Sequence, residues 1–583
     1  MSAVAPISPA ILVKRREMAA EADFPPSLHP VLRRIYAGRA VGCALEVECS
    51  LEHLLPPETL PGCTEAAVIL HEVIAAGGRI LIVGDFDADG ATSCALAMRA
   101  LRAMGADARY LVPNRFEYGY GLTPEIVVQA AHLEPALIVT VDNGISSIEG
   151  VRAARALGIR VLVTDHHLPG AELPEAEIIV NPNQRGDTFP SKHLAGVGVI
   201  FYVMMALRRR LRDTGWLAAR GLSELNLANL LDLVALGTVA DVAVLDRNNR
   251  ILVAQGLARI RRGQCSAGIR ALIEVAKRKR ERLSAGDLGF ALAPRLNAAG
   301  RLEDMSLGIE CLLSDSDEEA REMAICLDDL NQERRRIERD MQEQALVCLD
   351  ATVLGDCAQE SAVSVSLYHE DWHQGVIGIL ASRIKERTHR PTICFAPAGE
   401  GEIKGSARSI AGLHIRDCLE AVAVRHPGLI LKFGGHAMAA GLSLRAQDFP
   451  AFSAAFEEEV HRHLDPADLH GVIYSDGELS AEEISLDLAQ LLHSAGPWGQ
   501  GFPEPTFDGD FEVKDCRLVG ERHLKLILSP PGSAAQLEAI AFNREQDRTR
   551  AAAGGSIHIV YRLDVNEFRG RANPQLVIEH ISA

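Results

Sequence analysis

Closely spaced cysteine pairs are missing from this sequence. The 12 cysteines are scattered from Cys43 to Cys516, and no two of them form a CxxC pair. Zinc ribbons and small disulfide scaffolds depend on such spacing, so neither is indicated. We expect the cysteines to be reduced and mostly buried as small core side chains.

Long apolar runs are also missing. No stretch approaches the roughly 18 to 20 apolar residues of a membrane span, and residues 1–21 contain no uninterrupted apolar core before a cleavage site. We therefore expect a soluble, cytoplasmic protein with no membrane partner. At 583 residues, 48% of them hydrophobic, the chain is long enough for several domains.

An excess of positive charge is the third absence, since the formal net charge is -18. This argues against a general nucleic-acid-binding surface, although a metal-binding acid cluster would inflate the negative count. Two basic runs remain, and each is either a solvated helix face or a binding site. The runs are Arg208, Arg209, Arg210 and Arg212, followed by Lys277, Arg278, Lys279, Arg280 and Arg282.

The sequence does contain an apolar run that stops at a group of acids, LIVGDFDADGATS. It predicts a buried strand of a parallel sheet at 79–84, because apolar residues follow one another without polar alternation. Asp85, Asp87 and Asp89 then lie at the carboxyl end, where open α/β sheets bind ligands. A helix from Gly90 would add N–H donors suited to phosphate. Clustered acids repel unless a cation neutralises them; the alternative is a solvated acidic turn.

Later strands also end in acids, imidazoles or a cation. The segment ALIVTV is followed by Asp142, and RVLVT is followed by Asp165, His166 and His167. The segment ARYLV leads into PNR, which predicts that Arg115 lies at the same carboxyl-terminal edge of the sheet. Since the strands are parallel, their carboxyl ends should bring these side chains together.

Aspartate and histidine without cysteine favour Mn²⁺ or Mg²⁺ over structural Zn²⁺. Asp241, which ends the apolar stretch LANLLDLVALGTVAD, is expected to join the cluster, the alternative being a capping or loop aspartate. About five or six such ligands suit two ions. A two-metal site activates water and clamps the attacking and leaving oxygens of phosphoryl chemistry, so a catalytic serine or cysteine has no role.

Strands and helices alternate from about Ala66, as is typical of a doubly wound parallel sheet of the α/β class. The predicted strands are 79–84, 108–112, 136–141, 160–164 and 177–180, and the predicted helices are 90–104, 123–132 and 147–157. A charged helix is predicted from Asp317 to about Leu349. At 1.5 Å per residue it would span ~45 Å, enough to bridge two domains.

These patterns predict five regions. The first is an N-terminal extension packed on the following domain, with short helices in ILVKRREM and PVLRRIYAG. The regions are the extension at 1–60, a catalytic α/β domain at 61–316, a connecting helix at 317–350, a second α/β domain at 351–465 and an OB-fold-like β-barrel at 470–583. The barrel is indicated by about five short alternating segments.

Three further segments combine small residues with groups that bind phosphate. APRLNAAGRLED contains Arg295 and Arg301, and a surface loop is its alternative. GSARS contains Ser406 and Arg408, and FGGHAMAAG contains His436. Glycines there suit a close approach of phosphate or sugar to the backbone, the alternative being ordinary turns.

In the C-terminal barrel, aromatic side chains predict a base-stacking platform. The candidates are Trp498, Phe502 and Phe507, in and just after the segment PWGQGFPEP. Small barrels of this kind commonly bind single strands, and each stacked base contributes ~1 to 3 kcal/mol. We expect this region to hold long strands.

The motifs GDFDADGATS, VDNG, TDHH and GTVAD, in that order, resemble those of the DHH phosphoesterase superfamily. GSARS and FGGHAMAAG resemble its accessory DHHA1 domain. PNRFEYGYGL, APRLNAAGR and the PWGQGFPEP barrel narrow the resemblance to its single-strand-specific 5′ to 3′ DNA exonucleases. The resemblance implies hydrolysis of DNA in repair and recombination, and covers nearly the whole chain after about residue 50.

Carried over by motif, the resemblance implies a set of metal ligands. They are Asp87, Asp89, Asp142, His166 and Asp241. Asp142 would bridge the two ions, with Asp85 and Asp165 supporting the ligands, and His167 would contact the scissile phosphate. A terminal-phosphate pocket is implied as well, and His436 would line the cleft. The pocket residues are Arg115, Arg295, Ser406 and Arg408.

The implied partners are single-stranded DNA, a single-strand-binding protein and a DNA helicase, with the chain itself a monomer. Two other functions remain. A small-molecule DHH phosphodiesterase or pyrophosphatase would share the metal site but would not need the barrel. A non-catalytic scaffold that binds single-stranded DNA would have lost metal ligands, and no ligand is missing from these motifs.

Overall fold

The computed structural model describes residues 11–18, 22–113, 121–355, 362–520, 522–552, 554–568 and 570–582, without the side chains of 350–355, 466 and 467. The chain forms two compact units. The larger unit comprises Arg15–Asn331 and Ser475–Ala583, and the smaller unit comprises Gln332–Tyr474 with the residues before Arg15. None of the described helices has the length and apolarity that a membrane crossing requires.

The strands and helices predicted between residues 79 and 180 are present in the predicted order. The helices are α1 (Pro30–Ala37), α2 (Cys63–Ala75), α3 (Ala88–Ala103), α4 (Pro124–Ala131), α5 (Ile148–Ala156), α6 (Gly196–Asp213), α7 (Trp216–Ala219), α8 (Leu231–Ala240), α9 (Arg247–Arg261), α10 (Ala267–Val275), α11 (Ala285–Asp287), α12 (Ala293–Leu302), α13 (Ser306–Leu313), α14 (Asp317–Gly355), α15 (Ile377–Thr388), α16 (Ile415–Arg425), α17 (Phe449–His461) and α18 (Leu486–Ser494). The strands are β1 (Ile11–Arg15), β2 (Arg79–Gly84), β3 (Asp107–Leu111), β4 (Leu137–Val141), β5 (Arg160–Thr164), β6 (Ile178–Val180), β7 (Val365–Tyr368), β8 (Thr392–Gly399), β9 (Glu402–Arg408), β10 (Lys432–Gly435), β11 (Ala439–Arg445), β12 (Gly471–Ser475), β13 (Phe507–Val519), β14 (His523–Ser529), β15 (Leu537–Ala541), β16 (Ser556–Phe568) and β17 (Arg571–Ser582).

The first sheet has the strand order β3-β2-β4-β5-β6, and all its strands are parallel. After β2 the chain crosses to β3 on one side, and after β4 it crosses to β5 on the other. The direction of winding therefore reverses between β2 and β4, where Gly84 lies beside Val141. The crevice outside the carboxyl ends of these two strands is the topological switch point at which open α/β sheets bind ligands.

Both faces of this sheet are covered, which confirms the doubly wound architecture. Ile80 and Ile82 pack in the core shared with α2, α3 and α6, whereas Leu81 and Val83 pack with α4 and α5 on the opposite face. Strands buried on both faces explain the unbroken apolar run of β2. The helix predicted from Gly90 begins two residues earlier, at Ala88.

Two local predictions from the sequence are wrong. ILVKRREM does not form a helix, because Ile11–Arg15 is the strand β1, which pairs with β12. Its exposure alternates with period two, and β-branched residues favour such an edge. The surface-loop alternative for APRLNAAGRLED is also wrong, since Ala293–Leu302 is the helix α12.

The smaller unit contains a mixed sheet in the order β10-β11-β9-β8-β7, in which only β7 and β8 pair in parallel among its described strands. GSARS lies mostly in β9, and FGGHAMAAG forms the β10 to β11 hairpin, so neither segment is a simple loop. Gly405 is needed for packing, because a Cβ there would lie 2.5 Å from Cε1 of Phe395.

The long helix is confirmed and runs further than predicted, from Asp317 to Gly355. Its residues up to Asn331 belong to the larger unit and those from Gln332 to the smaller one. Acidic residues Asp317, Glu318 and Glu319 occupy its first turn, where they interact favourably with the helix dipole.

The C-terminal barrel is closed in the order β13-β14-β15-β17-β16, which confirms the OB-like fold. The predicted stacking platform is wrong. Phe502 and Phe507 are 2% and 0% exposed, and Trp498 stacks on Phe502 with ring centroids 5.2 Å apart. These rings belong to the core of the larger unit, because Tyr36 packs against both Trp498 and Phe502.

A buried ion pair lies beside this aromatic cluster. The Arg39 guanidinium donates to both carboxylate oxygens of Asp476 at 2.7 and 3.0 Å and lies 5.3 Å from the centroid of Trp498. Both charged side chains are 1% exposed. The pair therefore ties the turn after α1 to the segment that leads into the barrel.

Asp476→Ala is expected to destabilise the larger unit by about 3 to 5 kcal/mol, because it leaves a buried guanidinium without its counter-charge. Urea unfolding followed by tryptophan fluorescence would measure the change. Asp107→Ala is the matched control, since the Arg79 to Asp107 pair is 32% and 45% exposed and should contribute at most ~1 kcal/mol. Equal shifts in the two variants would contradict this assignment.

Candidate metal centre

Asp85 and Asp87 lie in the turn between β2 and α3. Asp87 is the N-cap of α3, and its carboxylate accepts hydrogen bonds from the N–H groups of Asp89 at 2.9 Å and Gly90 at 3.0 Å. These amides were expected to serve phosphate, but the chain's own aspartate uses them. Capping fixes the direction of the Asp87 carboxylate at the switch point.

Asp89, on the first turn of α3, is held from the opposite side by another helix. Its two oxygens accept from the N–H of Gly196 at 2.6 Å and of Val197 at 3.0 Å, at the start of α6. The positive end of the α6 dipole thus faces a buried carboxylate. The sequence analysis did not predict this contact. Its only local indication was the pair of glycines in the motif LAGVGVI, which does not by itself identify Asp89 as the partner.

Asp142 follows β4 in a left-handed conformation, with φ 62, which aspartate tolerates better than most residues. It is 2% exposed. Gly196 makes room for it, because a Cβ there would lie 2.6 Å from Cβ of Asp142. The neighbouring Asn143 amide donates to the carbonyls of Val83 at 3.1 Å and Val141 at 2.9 Å, which ties together the ends of β2 and β4.

Asp165, after β5, organises the two histidines. One of its oxygens accepts from the N–H of His166 at 2.7 Å and lies 2.7 Å from Nδ1 of His167. Asn183 donates to the carbonyl of His166 at 2.5 Å and Asn181 to that of His167 at 2.9 Å. These asparagines directly follow β6. A search for polar residues at the carboxyl ends of the predicted strands, which identified the acids and histidines, could have found them as well.

The structure brings the five predicted ligands together with Asp85 and His167, in three groups whose potential ligand atoms lie within 4.8 Å of one another. The groups are Asp85, Asp87 and Asp142; Asp89, His166 and Asp241; and Asp142, His166 and His167. Asp142 and His166 each belong to two groups, and Nε2 of His166 lies 3.0 Å from Oδ1 of Asp142. Two neighbouring ions with Asp142 between them fit this arrangement.

The electrostatics of the cluster also fit cations. Burial, followed by repulsion from Asp87, raises the pKa of Asp89 to about 7. Burial and neighbouring carboxylates, chiefly Asp89, likewise raise the pKa values of Asp142 and Asp241. Carboxylates that oppose one another's ionisation in this way are suited to a divalent ion among them.

His167 differs from the other groups because it has a dedicated anion. Burial acts to lower the pKa of His167, but its hydrogen bond to Asp165 and the attraction of nearby carboxylates raise it to about 9. Burial acts to raise the pKa of Asp165, and the bond from His167 lowers it below its ordinary value. The pair therefore presents a positively charged imidazole beside the cluster.

Helix α12 is seated directly on the turn that carries the acids. The side chain of Asn297 accepts from the N–H of Ala88 at 2.9 Å, and a Cβ at Gly300 would lie 1.9 Å from the carbonyl oxygen of Phe86. Arg295 ion-pairs with Asp328 at 2.7 Å. APRLNAAGR thus supports the metal-binding turn, a role that its composition did not indicate.

The remaining predicted residues are not all placed in one site. Arg115 lies outside the described residues, and Arg301 lies in the last turn of α12. In the smaller unit, Arg408 donates to Oγ of Ser406 at 3.1 Å, and burial lowers the pKa of Arg408. His436 is exposed in the turn after β10. Their shared role in a phosphate pocket stays a prediction.

The two basic runs are largely occupied by ion pairs. Arg208 and Arg212 contact Glu224, and Lys279 and Arg282 contact Glu567. These contacts favour the helix-face interpretation of the first run and a structural role for the second.

Three family models match the chain: the DHH family, N-terminal domain, at 79–238, the DHHA1 domain at 359–462 and the RecJ OB domain at 475–580. The single-stranded-DNA-specific exonuclease RecJ of Dickeya dadantii is 57% identical over 97% of this chain and 98% of that protein. The superfamily resemblance drawn from the motifs is confirmed.

Solved structures agree with these matches. Thermus thermophilus RecJ in complex with Mn²⁺ aligns with a TM-score of 0.79 and 31% identity, over 98% of this chain and 80% of that chain. Its complex with Mg²⁺ aligns with a TM-score of 0.74 and 28% identity, over 98% of this chain and 78% of that chain.

Gly196→Ala is expected to lower Mn²⁺ affinity roughly tenfold to a hundredfold, the range for residues that orient metal ligands. The new Cβ would displace Asp142 or the amides that hold Asp89. Isothermal titration calorimetry would measure the affinity. Gly198→Ala, on the same helix, is the control, because the three atoms nearest to its Cβ would all belong to the Leu194 side chain, the closest at 3.0 Å. Unchanged Mn²⁺ affinity in Gly196→Ala would show that the position of Asp142 does not depend on the absence of a side chain at residue 196.

Proposed function

The chain belongs to the RecJ family of single-stranded-DNA-specific exonucleases, and on this premise we propose how its residues carry out the reaction. It is a metal-dependent exonuclease that removes 5′-mononucleotides from single-stranded DNA in the 5′ to 3′ direction. The observation that carries the proposal is the meeting of Asp85, Asp87 and Asp142 with Asp89, His166 and Asp241 at the switch point of the sheet.

Mn²⁺ or Mg²⁺ would be held by five side chains, with Asp142 shared by two ions. The ligands are Asp87, Asp89, Asp142, His166 and Asp241. When bound, the ions supply activation of water and stabilisation of the attacking and leaving oxygens. Asp85 lies close enough to Asp87 and Asp142 to support or join this set.

His167 and Asp165 provide the chain's own charge stabilisation. Nδ1 of His167 is held by Asp165 at 2.7 Å, and this hydrogen bond favours the protonated imidazole, whose pKa is raised to about 9. We assign His167 to the scissile phosphate, where a fixed positive charge stabilises the charge that develops on the phosphate oxygens. Asp165 orients the ring.

The alternative functions fit less well. A small-molecule phosphodiesterase or pyrophosphatase would not need the closed barrel, which forms one hydrophobic core with the catalytic sheet. A non-catalytic scaffold would not retain a full set of converging acids and histidines. Single-stranded DNA therefore remains the substrate that best explains the chain as a whole.

The proposal extends to the setting of the reaction. A substrate of single-stranded DNA supports action in DNA repair and recombination, in the cytoplasm, with a single-strand-binding protein and a helicase as partners that supply and expose strands. We further propose that the chain acts as a monomer.

Asp142→Ala is expected to abolish turnover and to remove at least one Mn²⁺, because one anion fewer would serve two cations. End-labelled single-stranded DNA, duplex DNA and RNA, incubated with Mn²⁺, Mg²⁺ or EDTA, would measure activity, and calorimetry would count the ions. Asp213→Ala, at the exposed end of α6, is the matched control. Full activity of Asp142→Ala with two ions bound would show that Asp142 does not bridge them. If the unmutated protein did not digest single-stranded DNA, the proposed function would be wrong.

The direction of digestion is proposed to depend on a terminal-phosphate contact by Ser406 and Arg408. Guanidinium groups bind phosphate through paired, charge-assisted hydrogen bonds. Arg408→Ala should therefore lower kcat/KM roughly tenfold to a hundredfold on 5′-phosphorylated strands. The loss should be smaller on 5′-hydroxyl strands, which lack the group that Arg408 would bind.

Lys404→Ala is the control for this experiment, because Lys404 is an exposed cation on the same face of β9. It should affect both substrates equally and weakly. If Arg408→Ala showed the same fractional loss on both 5′ ends, Arg408 would be a general backbone contact and this origin of polarity would be wrong.

A further inference from the structure

A cavity of about 710 Å³ lies in the larger unit, outside the metal centre. It is bordered by the end of α3, the start of α8, the ends of α9 and α13, and the segment before α10. Among the residues that the structure describes, none of the candidate metal ligands lines this cavity. Its volume falls in the range of about 300 to 1,000 Å³ that is typical of small-molecule sites.

Two helices run from this cavity to the acid cluster. Arg99 and Arg102 of α3 line the cavity, and they lie ~15 and ~20 Å from Asp89 along the helix axis. Helix α8 has Asp232 in the cavity wall and ends at Asp241. The cavity therefore lies at the opposite ends of these helices from the metal centre and is a separate site.

Three guanidinium groups bring positive charge to the cavity wall. They belong to Arg99, Arg102 and Arg259. Arg99 is fixed by the backbone, since its Nε and Nη2 donate to the Leu312 carbonyl at 3.1 and 3.0 Å. Its Nη1 donates at 2.8 Å to Asp315, whose side chain is 89% exposed. An ion pair with so exposed a carboxylate contributes little, so a bound anion can compete with Asp315 for Arg99.

Arg259 and Arg102 have fewer partners than Arg99. Nη2 of Arg259 donates to Oδ1 of Asn229 at 2.5 Å, and Nε of Arg259 is buried without a hydrogen-bond partner among the described residues. Neither Arg102 nor Arg259 forms an ion pair with an acid in the part of the chain that the structure describes. A buried donor of a charged group is unfavourable when it is unpaired, and an anion in the cavity would pair with it.

The second acid in the cavity wall, Asp232, does not cancel this positive charge. It is 1% exposed, and its carboxylate accepts from the N–H groups of Leu233 at 2.9 Å and Ser266 at 2.7 Å. Burial raises the pKa of the Asp232 carboxyl above its ordinary value. Three guanidiniums and two carboxylates leave the wall with an excess of positive charge, in a chain whose net charge is -18. The cavity therefore favours an anion.

An apolar surface lies beside the arginines in the same cavity. It is formed by Leu225, Leu230, Leu233 and Leu313. Inorganic phosphate bound by the arginines would leave these side chains uncovered, whereas a phosphate that carries an apolar group would bury them. A nucleotide has both parts, because every base presents an apolar face.

We propose that this cavity is a site for free 5′-nucleotides, in which Arg102 and Arg259 bind the phosphate and the leucines pack against the base. Guanidinium groups bind phosphate through paired, charge-assisted hydrogen bonds. The mononucleotide that the proposed reaction releases and a nucleoside triphosphate share this chemistry. The inference goes beyond the proposed function, since binding here does not require exonuclease activity.

Isothermal titration calorimetry with dAMP tests the site. EDTA is present, because without metal ions the acid cluster repels a phosphate. The parent should bind dAMP, and deoxyadenosine, which lacks the phosphate, should bind roughly tenfold more weakly or worse. Arg259→Gln and Arg102→Gln should each weaken dAMP binding roughly tenfold to a hundredfold. A titration with ATP identifies the source of the ligand, which is the nucleotide that binds more tightly.

Matched variants separate this site from other cations and from misfolding. Arg262→Gln should bind dAMP as the parent does, since Arg262 is an exposed residue at the end of α9 and does not line the cavity. Arg408→Ala should also keep the affinity that Arg259→Gln loses, because the proposed terminal-phosphate contact is a different site. Arg102 is exposed, so Arg102→Gln provides a test even if thermal unfolding shows that Arg259→Gln is not folded.

Leu225→Ala tests the part of the cavity that would contact the base. It should weaken the binding of dAMP and leave the binding of inorganic phosphate unchanged, because only the nucleotide reaches the leucines. If inorganic phosphate bound as tightly as dAMP, or if Leu225→Ala bound dAMP as the parent does, the nucleotide assignment would be wrong.

The binding measurements are independent of the proposed function. If dAMP did not bind in EDTA, or bound equally to the parent, Arg102→Gln and Arg259→Gln, this cavity would not be a nucleotide site. The exonuclease assignment would then stand as long as the parent digests single-stranded DNA. A parent that binds dAMP in the cavity but does not digest DNA would contradict the proposed function alone.

Discussion

Repulsion among buried carboxylates is the constraint on which the larger unit is built. Asp89 and Asp142 are 1% and 2% exposed. Burial raises the pKa of both, together with repulsion from Asp87 in the case of Asp89 and chiefly from Asp89 in the case of Asp142. Such a cluster can stay ionised at neutral pH when fixed dipoles and cations oppose the repulsion. Helix N-termini supply the dipoles. The N–H groups at the start of α3 donate to Asp87, and those at the start of α6 donate to Asp89.

The same constraint explains why the site lies at the switch point. Parallel strands release the chain at a common edge, and the reversal between β2 and β4 opens a crevice there. Helices that follow such strands begin at that edge, so their N–H groups point to the place where the acids collect. The sheet topology therefore places the carboxylates and the helix N–H groups that partly offset their charge at the same edge.

Much of this could be predicted from the sequence, because the strands carry their own signal. Unbroken apolar runs ending in Asp85, Asp142 and Asp165 indicated both the parallel sheet and the convergence of the acids. What the sequence could not show were contacts made by backbone groups distant along the chain. The Gly196 amide that binds Asp89 is 107 positions away, and no side-chain pattern marks it.

Burial of aromatic residues was misjudged for a related reason. Trp498 and Phe502 sit in a segment rich in glycine and proline, which resembles an exposed loop. Their partner Tyr36 lies more than 450 positions earlier, so the cluster exists only in the folded unit. The ring of Phe290 shows the reverse, since it lies in the apolar segment LGFAL and is 83% exposed.

Close backbone approach links the metal centre to the fold as a whole. A Cβ at Gly237 would lie 2.8 Å from Oδ1 of Asp89, and one at Gly300 would meet the turn before α3. Helices α6, α8 and α12 thus approach the acid-bearing segments so closely at Gly196, Gly237 and Gly300 that a Cβ at any of these positions would clash. Carboxyls with pKa values raised by folding destabilise the folded chain as pH rises through those values. A bound cation removes that penalty, so metal affinity and stability of the larger unit are two measures of the same interaction.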